Sequence, residues 1–262
     1  MSLFSLFGKK KQPVRKSRKY VIVNEDISFA AAEAYKVART NLMFLLGNEE
    51  KKQVIFTSPH SEEGKTITCV NMAVAFAQTG AKTVLIDADL RKPKIHRILG
   101  VDKVPGLSDY LGGMTIDAAV YKTKFENLFV LPVGTMPPNP AELLLSDNME
   151  KLLEELSEQF DYIFIDTPPI TLVTDAAILA AKTAGAILIA RQAVSDKHSM
   201  RAAKESLESA GAKVLAFIFN DVNHDRYSYR YHYRRGSYYY NYKYRYKYGY
   251  RYADPKDGAT KK

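Results

Sequence analysis

The sequence predicts an α/β protein in which helices flank a mostly parallel β-sheet on both faces. Short, fully apolar runs recur along the chain, and segments with helical periodicity separate them. Apolar runs without alternation are typical of strands buried on both sides, as in parallel sheets. The 262 residues, 46% of them hydrophobic, suffice for one large domain with a sizeable core. Wholesale disorder is therefore excluded.

The predicted elements follow one another in a regular order. An Ala-rich stretch over residues 27–46 has apolar residues at helical spacing, and Ser28 is suited to cap this helix. Strands are predicted at residues 54–58, 83–88, 128–132, 162–166, 186–190 and 214–219. The helices between them are predicted at residues 66–78, 141–158, 174–183 and 195–210. Ligands of such folds gather at the carboxyl ends of the strands.

Charge and tyrosine are concentrated at the ends of the chain. The net charge of +9 divides into +7 over residues 1–19, −6 over 20–222 and +8 over 223–262. Thirteen of the 18 tyrosines lie between residues 227 and 252. We expect a basic, flexible N-terminus (1–19), a folded domain (20–222) and a flexible, tyrosine-rich tail (223–262). The net charge alone does not indicate nucleic-acid binding, and we expect no nucleic-acid partner.

The N-terminus bears on localisation. Residues 1–7 carry Leu and Phe, and seven Lys or Arg follow before residue 20. Such an end could rest on an anionic membrane face, or it could be a solvated terminus. No apolar run approaches the roughly 20 residues of a spanning helix, and the single cysteine, Cys69, excludes an internal disulfide. We expect a cytoplasmic protein, peripheral at the inner face of the cell membrane.

The strongest motif lies between the first predicted strand and the helix after it. Phosphates are bound by backbone N–H groups at a helix N-terminus, by a lysine, and by a hydroxyl that reaches Mg²⁺. Gly64, Lys65 and Thr66 supply these groups, although Pro59 stands where a complete P-loop has its first glycine. The candidate nucleotide-binding segment comprises Ser61, Glu62, Glu63, Gly64, Lys65, Thr66 and Ile67.

Two later strands end in carboxylates. Asp87 and Asp89 follow one strand, and Asp166 ends another. Facing a P-loop, such aspartates hold Mg²⁺ and orient the attacking group. Each aspartate alone could merely end its strand or cap the next element. Three of them together with Gly-Lys-Thr favour nucleotide binding.

In combination these motifs resemble the bacterial tyrosine kinases of capsule and exopolysaccharide synthesis (BY-kinases). The resemblance rests on the P-loop variant, on Leu-Arg-Lys-Pro at 90–93, on Asp-Thr-Pro-Pro at 166–169 and on the terminal tyrosine cluster. It implies a P-loop NTPase fold and an ATP- and Mg²⁺-dependent, non-specific protein-tyrosine autokinase. The kinase would phosphorylate tails in trans and so regulate polysaccharide synthesis and export. The alternative is a partitioning- or positioning-type P-loop ATPase with a basic aromatic tail that binds nucleic acid or membrane.

The resemblance assigns the chemistry to five residues. Lys65 would neutralise the β- and γ-phosphates, and Thr66 would bind Mg²⁺. Asp166 would hold the metal directly or through water. Asp87 and Asp89 would share metal binding and activation of the acceptor tyrosine, in a division that the sequence leaves open. The expected catalytic residues are thus Lys65, Asp87, Asp89 and Asp166, and the metal ligands Thr66, Asp87 and Asp166.

Two further residues have alternative roles, and one position departs from the family. Arg91 would stabilise phosphate charge or pair with a neighbouring subunit's acids. Asn220 would lie on the adenine side or simply end its strand in a turn. Relatives usually read Pro-Gly-Glu-Gly-Lys where this chain has Ser-Glu-Glu-Gly-Lys. Glu62 therefore adds a side chain and a charge beside the phosphates. Either this weakens ATP binding, or the N–H groups of the loop still point inward with both carboxylates outside.

The early helix carries a second resemblance. Glu33, Lys36 and Arg39 match the family's Glu-x-x-Arg-x-x-Arg oligomerisation motif, with lysine in the middle. They could form a charged stripe against an adjacent subunit, or make ion pairs within an exposed helix. The family implies a homo-oligomeric ring, a transmembrane activator of the polysaccharide co-polymerase type and a cognate tyrosine phosphatase as partners.

The tail allows three interpretations. Its tyrosines could accept phosphate, stack on nucleic-acid bases, or have no specific role. The kinase motifs favour the first, because stacking alone would accept phenylalanine as readily as tyrosine. The expected phosphoacceptors are Tyr238, Tyr239, Tyr240, Tyr242, Tyr244, Tyr246, Tyr248, Tyr250 and Tyr252.

Overall fold

A computed structural model describes residues 22–23, 27–47 and 49–222 of the chain. The predictions for residues 1–19 and for the tail, including all nine expected phosphoacceptors, lie outside the described residues. The proposed division of the chain into three parts therefore stays a prediction.

Within the described residues, seven strands form one sheet. They are β1 (Gln53–Thr57), β2 (Thr83–Asp87), β3 (Tyr121–Lys122), β4 (Leu128–Leu131), β5 (Tyr162–Asp166), β6 (Gly185–Arg191) and β7 (Val214–Asn220). Their spatial order is β3-β4-β2-β5-β1-β6-β7. Neighbouring strands are parallel except for the short antiparallel pair of β3 and β4. The predicted mostly parallel sheet is confirmed.

Helices cover both faces of the sheet. They are α1 (Phe29–Leu46), α2 (Lys65–Ala77), α3 (Ile95–Leu99), α4 (Leu107–Leu111), α5 (Pro140–Leu145), α6 (Asp147–Gln159), α7 (Asp175–Lys182) and α8 (Lys197–Ser209). A 3₁₀ turn spans Ile116–Ala118. The Ser28 side chain accepts the Ala31 N–H at 3.3 Å, which confirms the predicted cap of α1.

One predicted helix was wrong. Residues 141–158 form two helices, α5 and α6, because Ser146 between them has an extended backbone with ψ of 155°. The Ser146 hydroxyl donates to the Leu143 carbonyl at 2.7 Å, so it binds an end carbonyl of α5. The apolar pattern continues through the break, which is why the sequence read as one helix.

Two apolar cores lie on opposite faces of the sheet. On one face α1, α2 and α3 pack on the strands, where the rings of Phe76 and Phe164 meet edge to face with centroids 4.9 Å apart. On the other face α4 to α8 contribute the second core. The edge strand β7 is less covered, and Phe217 and Phe219 remain 44% and 64% exposed.

The sheet order places three strand ends side by side. β5 lies between β2 and β1, and Asp87 and Asp166 are register partners at the ends of β2 and β5. The loop after β1 therefore begins beside Asp166, with Asp87 one strand farther along the sheet. None of the described helices is long and apolar enough to cross a membrane.

Candidate active site

A cleft of about 890 Å³ opens at the carboxyl ends of the strands. It brings together most of the residues predicted from the sequence. The cleft-lining members are Ser61, Glu62, Glu63, Gly64, Lys65, Thr66, Ile67, Asp89, Arg91 and Asn220. Asp87 and Asp166 lie at the strand ends and are buried. The three α1 residues of the oligomerisation motif do not line the cleft.

The loop after β1 enters the left-handed backbone region at two positions, Glu62 and Gly64. Gly64 has φ +88° and precedes the first residue of α2. This positive φ favours glycine, and a Cβ atom here would lie 2.1 Å from Nδ2 of Asn220, so that side chain would have to move. Glu62 also has a positive φ, +66°, at the position where the resembled family usually carries glycine. The departure noted in the sequence therefore places a non-glycine residue in the left-handed region.

The second loop glutamate is held within the protein. Glu63 is fully buried, and its Oε2 accepts the His60 N–H at 2.9 Å. Its Oε1 accepts the Ser195 hydroxyl, which in turn accepts the Arg191 N–H at 2.7 Å. This carboxylate is therefore satisfied by protein donors, in contrast to the exposed Glu62.

Lys65 and Asp166 form a buried ion pair. The Lys65 Nζ lies 2.5 Å from Asp166 Oδ1, and the two side chains are 7% and 1% exposed. Burial alone would lower the pKa of Lys65, but the attraction of Asp166 and Asp89 outweighs it and the pKa lies above its ordinary value. The lysine is therefore a cation at neutral pH, and Thr66 Oγ1 lies 3.4 Å from it.

The two aspartates after β2 differ in position. Asp87 is fully buried, and its Oδ2 accepts the N–H groups of Lys94 and Ile95 at 3.2 and 3.1 Å. Its Oδ1 is buried without a hydrogen-bond partner among the described residues. Burial and the neighbouring Asp166 raise the pKa of Asp87 to about 8. Asp89 is half-buried on the wall of the cleft and accepts the Lys92 N–H at 3.0 Å.

These groups fit a magnesium ion bound together with phosphates. Among the described residues, no group of three or more His, Cys, Asp or Glu side chains is arranged to hold a metal alone. Mg²⁺ in nucleotide sites usually takes one or two carboxylates and completes its shell with phosphate oxygens and waters. The unpartnered Oδ1 of Asp87, the Asp166 carboxylate and the Thr66 hydroxyl offer this kind of donor set.

Arg91 pairs with an acid of its own chain. Its Nε and Nη2 donate to the two carboxylate oxygens of Asp175 at 3.1 and 3.3 Å. Asp175 is fully buried and is the first residue of α7. The guanidinium therefore joins the segment after β2 to α7, and only part of it faces the cleft.

Residues at the ends of β6 and β7 secure the P-loop from one side, where Asn220 is joined by Arg191. Asn220 donates to the Glu63 carbonyl at 3.2 Å and to Thr68 Oγ1 at 3.1 Å. Arg191 donates to the Glu62 carbonyl at 3.3 Å and to the Asp221 carboxylate at 2.9 and 3.1 Å. Of these, only Asn220 was predicted. Contacts more than 120 positions apart leave no local signal in a single sequence.

The three motif residues of α1 do not form one stripe. Glu33 and Lys36 make an exposed ion pair of 2.7 Å within the helix. Arg39 instead donates through Nη1 to the Ala75 carbonyl, in the last turn of α2, at 2.9 Å. Only Glu33 and Lys36 therefore belong to the outer face, alongside the exposed Phe29, Val37 and Phe44.

Cys69 lies one turn into α2, beneath the cleft. It is fully buried, and burial and the Asp166 charge raise the pKa of its thiol well above the ordinary value. It is the only cysteine of the chain.

Comparison with known proteins agrees with this geometry. Residues 60–207 match the family model described as an AAA domain. Tyrosine-protein kinase YwqD of Bacillus subtilis is 37% identical over 225 residues, which cover 84% of this chain and 94% of YwqD. The kinase domain of Escherichia coli tyrosine kinase ETK has a TM-score of 0.75 at 30% identity, over 86% of this chain and 89% of that domain.

The fold is also similar to that of a protein solved with a bound nucleotide. The septum site-determining protein MinD of Pyrococcus horikoshii, complexed with Mg-ADP, has a TM-score of 0.55 at 28% identity. The match covers 64% of this chain and 69% of MinD. The P-loop NTPase fold, the intact lysine and aspartates at its cleft and the kinase relatives lead to one conclusion. This chain belongs to the bacterial tyrosine kinases of capsule and exopolysaccharide synthesis.

Proposed function

We propose that the chain transfers the γ-phosphoryl group of ATP to tyrosines of the C-terminal tail of a neighbouring subunit. The observation that carries this proposal is the convergence of Lys65, Asp166 and Asp89 at one cleft beneath the P-loop. The proposed acceptors are the nine tyrosines from Tyr238 to Tyr252 named above. Phosphates would add about −1.5 to −2 charges each to a tail segment that carries +8.

ATP binding requires an exchange of partners at Lys65. The phosphates of ATP would lie at the N-terminus of α2, where backbone N–H groups and the helix dipole favour anions. Lys65 then trades the Asp166 carboxylate for β- and γ-phosphate oxygens. Mg²⁺, when bound with ATP, neutralises phosphate oxygens, and Thr66, Asp87 and Asp166 would hold it.

The transfer step assigns the acceptor side to Asp89. The bond between the γ-phosphorus and its bridging oxygen breaks, and ADP keeps that electron pair. The phenolic oxygen of the incoming tyrosine forms the new bond to phosphorus and loses its proton. Asp89 is the proposed proton acceptor, since it lines the cleft whereas Asp87 is fully buried. In a loose transition state this base needs to remove little of the proton before the bond to phosphorus forms.

Assembly into a ring is proposed to bring a tail to the neighbour's cleft. The outer face of α1 combines the Glu33–Lys36 ion pair with exposed Phe29, Val37 and Phe44. An apolar stripe with charges on a helix surface suits a contact with another copy. The same assembly would be held at the inner membrane face by a transmembrane activator and by the basic N-terminus. A tyrosine phosphatase would return the tail to its positive charge.

Mass-spectrometric mapping of the purified full chain after incubation with Mg-ATP tests the activity. We expect phosphotyrosine in the tail for the wild type and none for Lys65→Met. The matched control is Lys82→Met, because the Lys82 side chain is exposed at the opposite end of β2. Full phosphorylation of Lys65→Met would overturn the proposal. Phosphate release without phosphotyrosine would favour the partitioning-type ATPase instead.

Transfer in trans is tested by mixing two variants. One carries Lys65→Met with an intact tail, and the other has an intact cleft but phenylalanine at all nine expected acceptors. We expect the tail of the first to be phosphorylated only in the mixture. A tail that stays unmodified there would assign the reaction to the enzyme's own tail.

A further inference from the structure

The turn between β6 and α8, residues 191–195, is closed by hydrogen bonds of its own. Ala193 in its middle has a positive φ of +63°. The Ser195 N–H donates to the Arg191 carbonyl at 2.9 Å, and the Arg191 N–H donates back to the Ser195 hydroxyl at 2.7 Å. A non-glycine residue stays in the left-handed region only where the contacts around it fix the backbone. These two bonds therefore fix the position of the Ser195 hydroxyl.

That hydroxyl donates its proton to the P-loop. Because the Arg191 N–H already occupies one lone pair of Ser195 Oγ, the hydroxyl proton points away from the turn. It is donated to Oε1 of Glu63, which lies 132 positions earlier in the chain. Oε2 of the same carboxylate accepts the His60 N–H at 2.9 Å. Glu63 is thus held by one donor from its own loop and by one donor from the turn before α8.

The other contacts from this side of the sheet hold the backbone of the loop. Arg191 donates to the Glu62 carbonyl at 3.3 Å, and Asn220 donates to the Glu63 carbonyl at 3.2 Å. Ser195 instead holds a charged side chain. Removal of its hydroxyl would therefore leave both backbone contacts in place and release the Glu63 carboxylate.

The Glu63 carboxylate is a negative charge in the segment that would surround the phosphates of ATP. Its side chain is fully buried, and it borders the cleft. Both of its donors are uncharged groups that take the place of water around the carboxylate. A carboxylate that loses one of its donors is better solvated when it turns toward water, and the cleft that it borders offers that water. In the cleft it would repel the phosphates.

We infer that Ser195 is a positioning residue for ATP, whose hydroxyl holds the Glu63 carboxylate inside the protein and away from the phosphates. This inference rests on the ATP site proposed above. Ser195 acts through Glu63 and is not among the described residues that line the cleft. The chemistry of transfer therefore stays with the residues already assigned to it.

The test measures the Kd of the full chain for a fluorescent ATP analogue with Mg²⁺, beside steady-state kinetics. For Ser195→Ala we expect the Kd and the KM for ATP to rise about three- to tenfold, with little change in kcat. Ser195→Thr keeps a hydroxyl and should bind as the wild type does. The matched control is Ser199→Ala, because the Ser199 hydroxyl donates at 3.0 Å to the Asp196 carbonyl at the start of α8. It should retain the affinity of the wild type.

Two measurements separate a released charge from a general loosening of the loop. Ser195→Ala/Glu63→Gln should recover most of the affinity, because the released side chain is then a neutral amide. The ratio of the Kd of Ser195→Ala to that of the wild type should fall as NaCl is raised from about 0.05 M to about 0.5 M, since salt screens repulsion in an open cleft. A loosened loop would give a double variant at least as weak as Ser195→Ala, and a ratio independent of salt.

The outcomes that overturn the inference differ from those that overturn the ATP site. Equal affinity of Ser195→Ala and the wild type, a double variant that binds no better than Ser195→Ala, or a ratio that salt leaves unchanged would each reject it. Loss of the folded state in Ser195→Ala would assign the hydroxyl to stability and would reject it too. A wild-type chain that binds no analogue would instead defeat the proposed nucleotide site.

Discussion

Nζ of Lys65 lies 2.5 Å from Oδ1 of Asp166, so the phosphate-binding lysine is paired with the carboxylate that ends β5. In the proposed reaction Lys65 would bind the phosphates of ATP, and Asp166 would hold Mg²⁺. The pair gives the cleft a defined resting arrangement without nucleotide. ATP then competes for a cation that already has a partner, which moderates its affinity while keeping the site preorganised.

This pair predicts that stability and activity can be separated. Lys65→Met should lower the free energy of unfolding by about 3 kcal/mol, because Asp166 loses its partner while buried. Lys65→Met/Asp166→Leu should recover most of that loss and remain inactive. Urea unfolding and phosphotyrosine detection measure the two effects. A double variant less stable than Lys65→Met would contradict the argument.

The backbone of Glu62 predicts that glycine at this position would bind Mg-ATP more tightly. Glu62→Gly should relieve the left-handed backbone and remove a charge near the phosphates, stabilising the loop by about 1 kcal/mol and tightening Mg-ATP binding several-fold. Glu62→Gln removes only the charge and should give the smaller improvement. Titration with a fluorescent ATP analogue compares the three proteins. Equal affinities for the Gly and Gln variants would show that backbone strain is unimportant.

The raised pKa of Asp87 predicts that the free energy of unfolding depends on pH. Its folded pKa of about 8 lies above the ordinary carboxyl value, so the stability it contributes is complete below about pH 4 and declines as pH rises to 8. Asp87→Asn keeps an acceptor for the N–H groups of Lys94 and Ile95 without the charge. Relative to the wild type it should gain up to about 1.4 kcal/mol per pH unit across that range. Urea unfolding of the nucleotide-free protein at several pH values checks this.

The exposed Asp102→Asn serves as the comparison for that series. It should leave the pH profile of the wild type unchanged. A constant difference between Asp87→Asn and the wild type at all pH values would reject the prediction.

Arg91 predicts an effect on stability through Asp175. Arg91→Met should cost about 1–3 kcal/mol, because a fully buried carboxylate loses a two-point partner. The cost should shrink in Arg91→Met/Asp175→Asn, where the partner is neutral. Thermal unfolding of the set forms a double-mutant cycle. Additive losses would show that the two side chains are not coupled.

The outer face of α1 predicts a change in assembly. Val37→Asp and Phe44→Asp should lower the mass seen by light scattering, because they place charge on the proposed contact. Phe219→Asp on β7 introduces the same charge at another exposed apolar residue and should leave the mass unchanged. If Phe219→Asp alone reduced the mass, the contact would lie at the β7 edge instead.

The strands and long helices could be predicted because their signals are local. Each strand of the central sheet is an apolar run, and the observed bounds differ from the predictions by one residue or less. The short elements could not be predicted, because α3 and α4 have five residues each and are too short to show a helical period. β3 is two residues at an edge and owes its conformation to pairing with β4.

The site shows the same limit at the level of single side chains. Lys65, Thr66 and Asp166 could be named because their chemistry is tied to a motif. The partner of Arg91 could not, because Asp175 is 84 positions away. Arg39 belongs to a surface motif by its spacing, and its guanidinium also donates to a carbonyl of α2. A motif gives residue types, whereas packing decides the direction of each side chain.

The burial of Cys69 makes the chain its own reporter of local opening. A thiol-directed reagent has one target in this chain, Cys69. Because this thiol is fully buried, the reagent reaches it when α2 separates from the sheet. The labelling rate therefore measures how often the phosphate-binding helix opens. Nucleotides that hold this helix would slow the labelling in proportion to their occupancy. Occupancy of the cleft can thus be followed on the purified chain without any engineered probe.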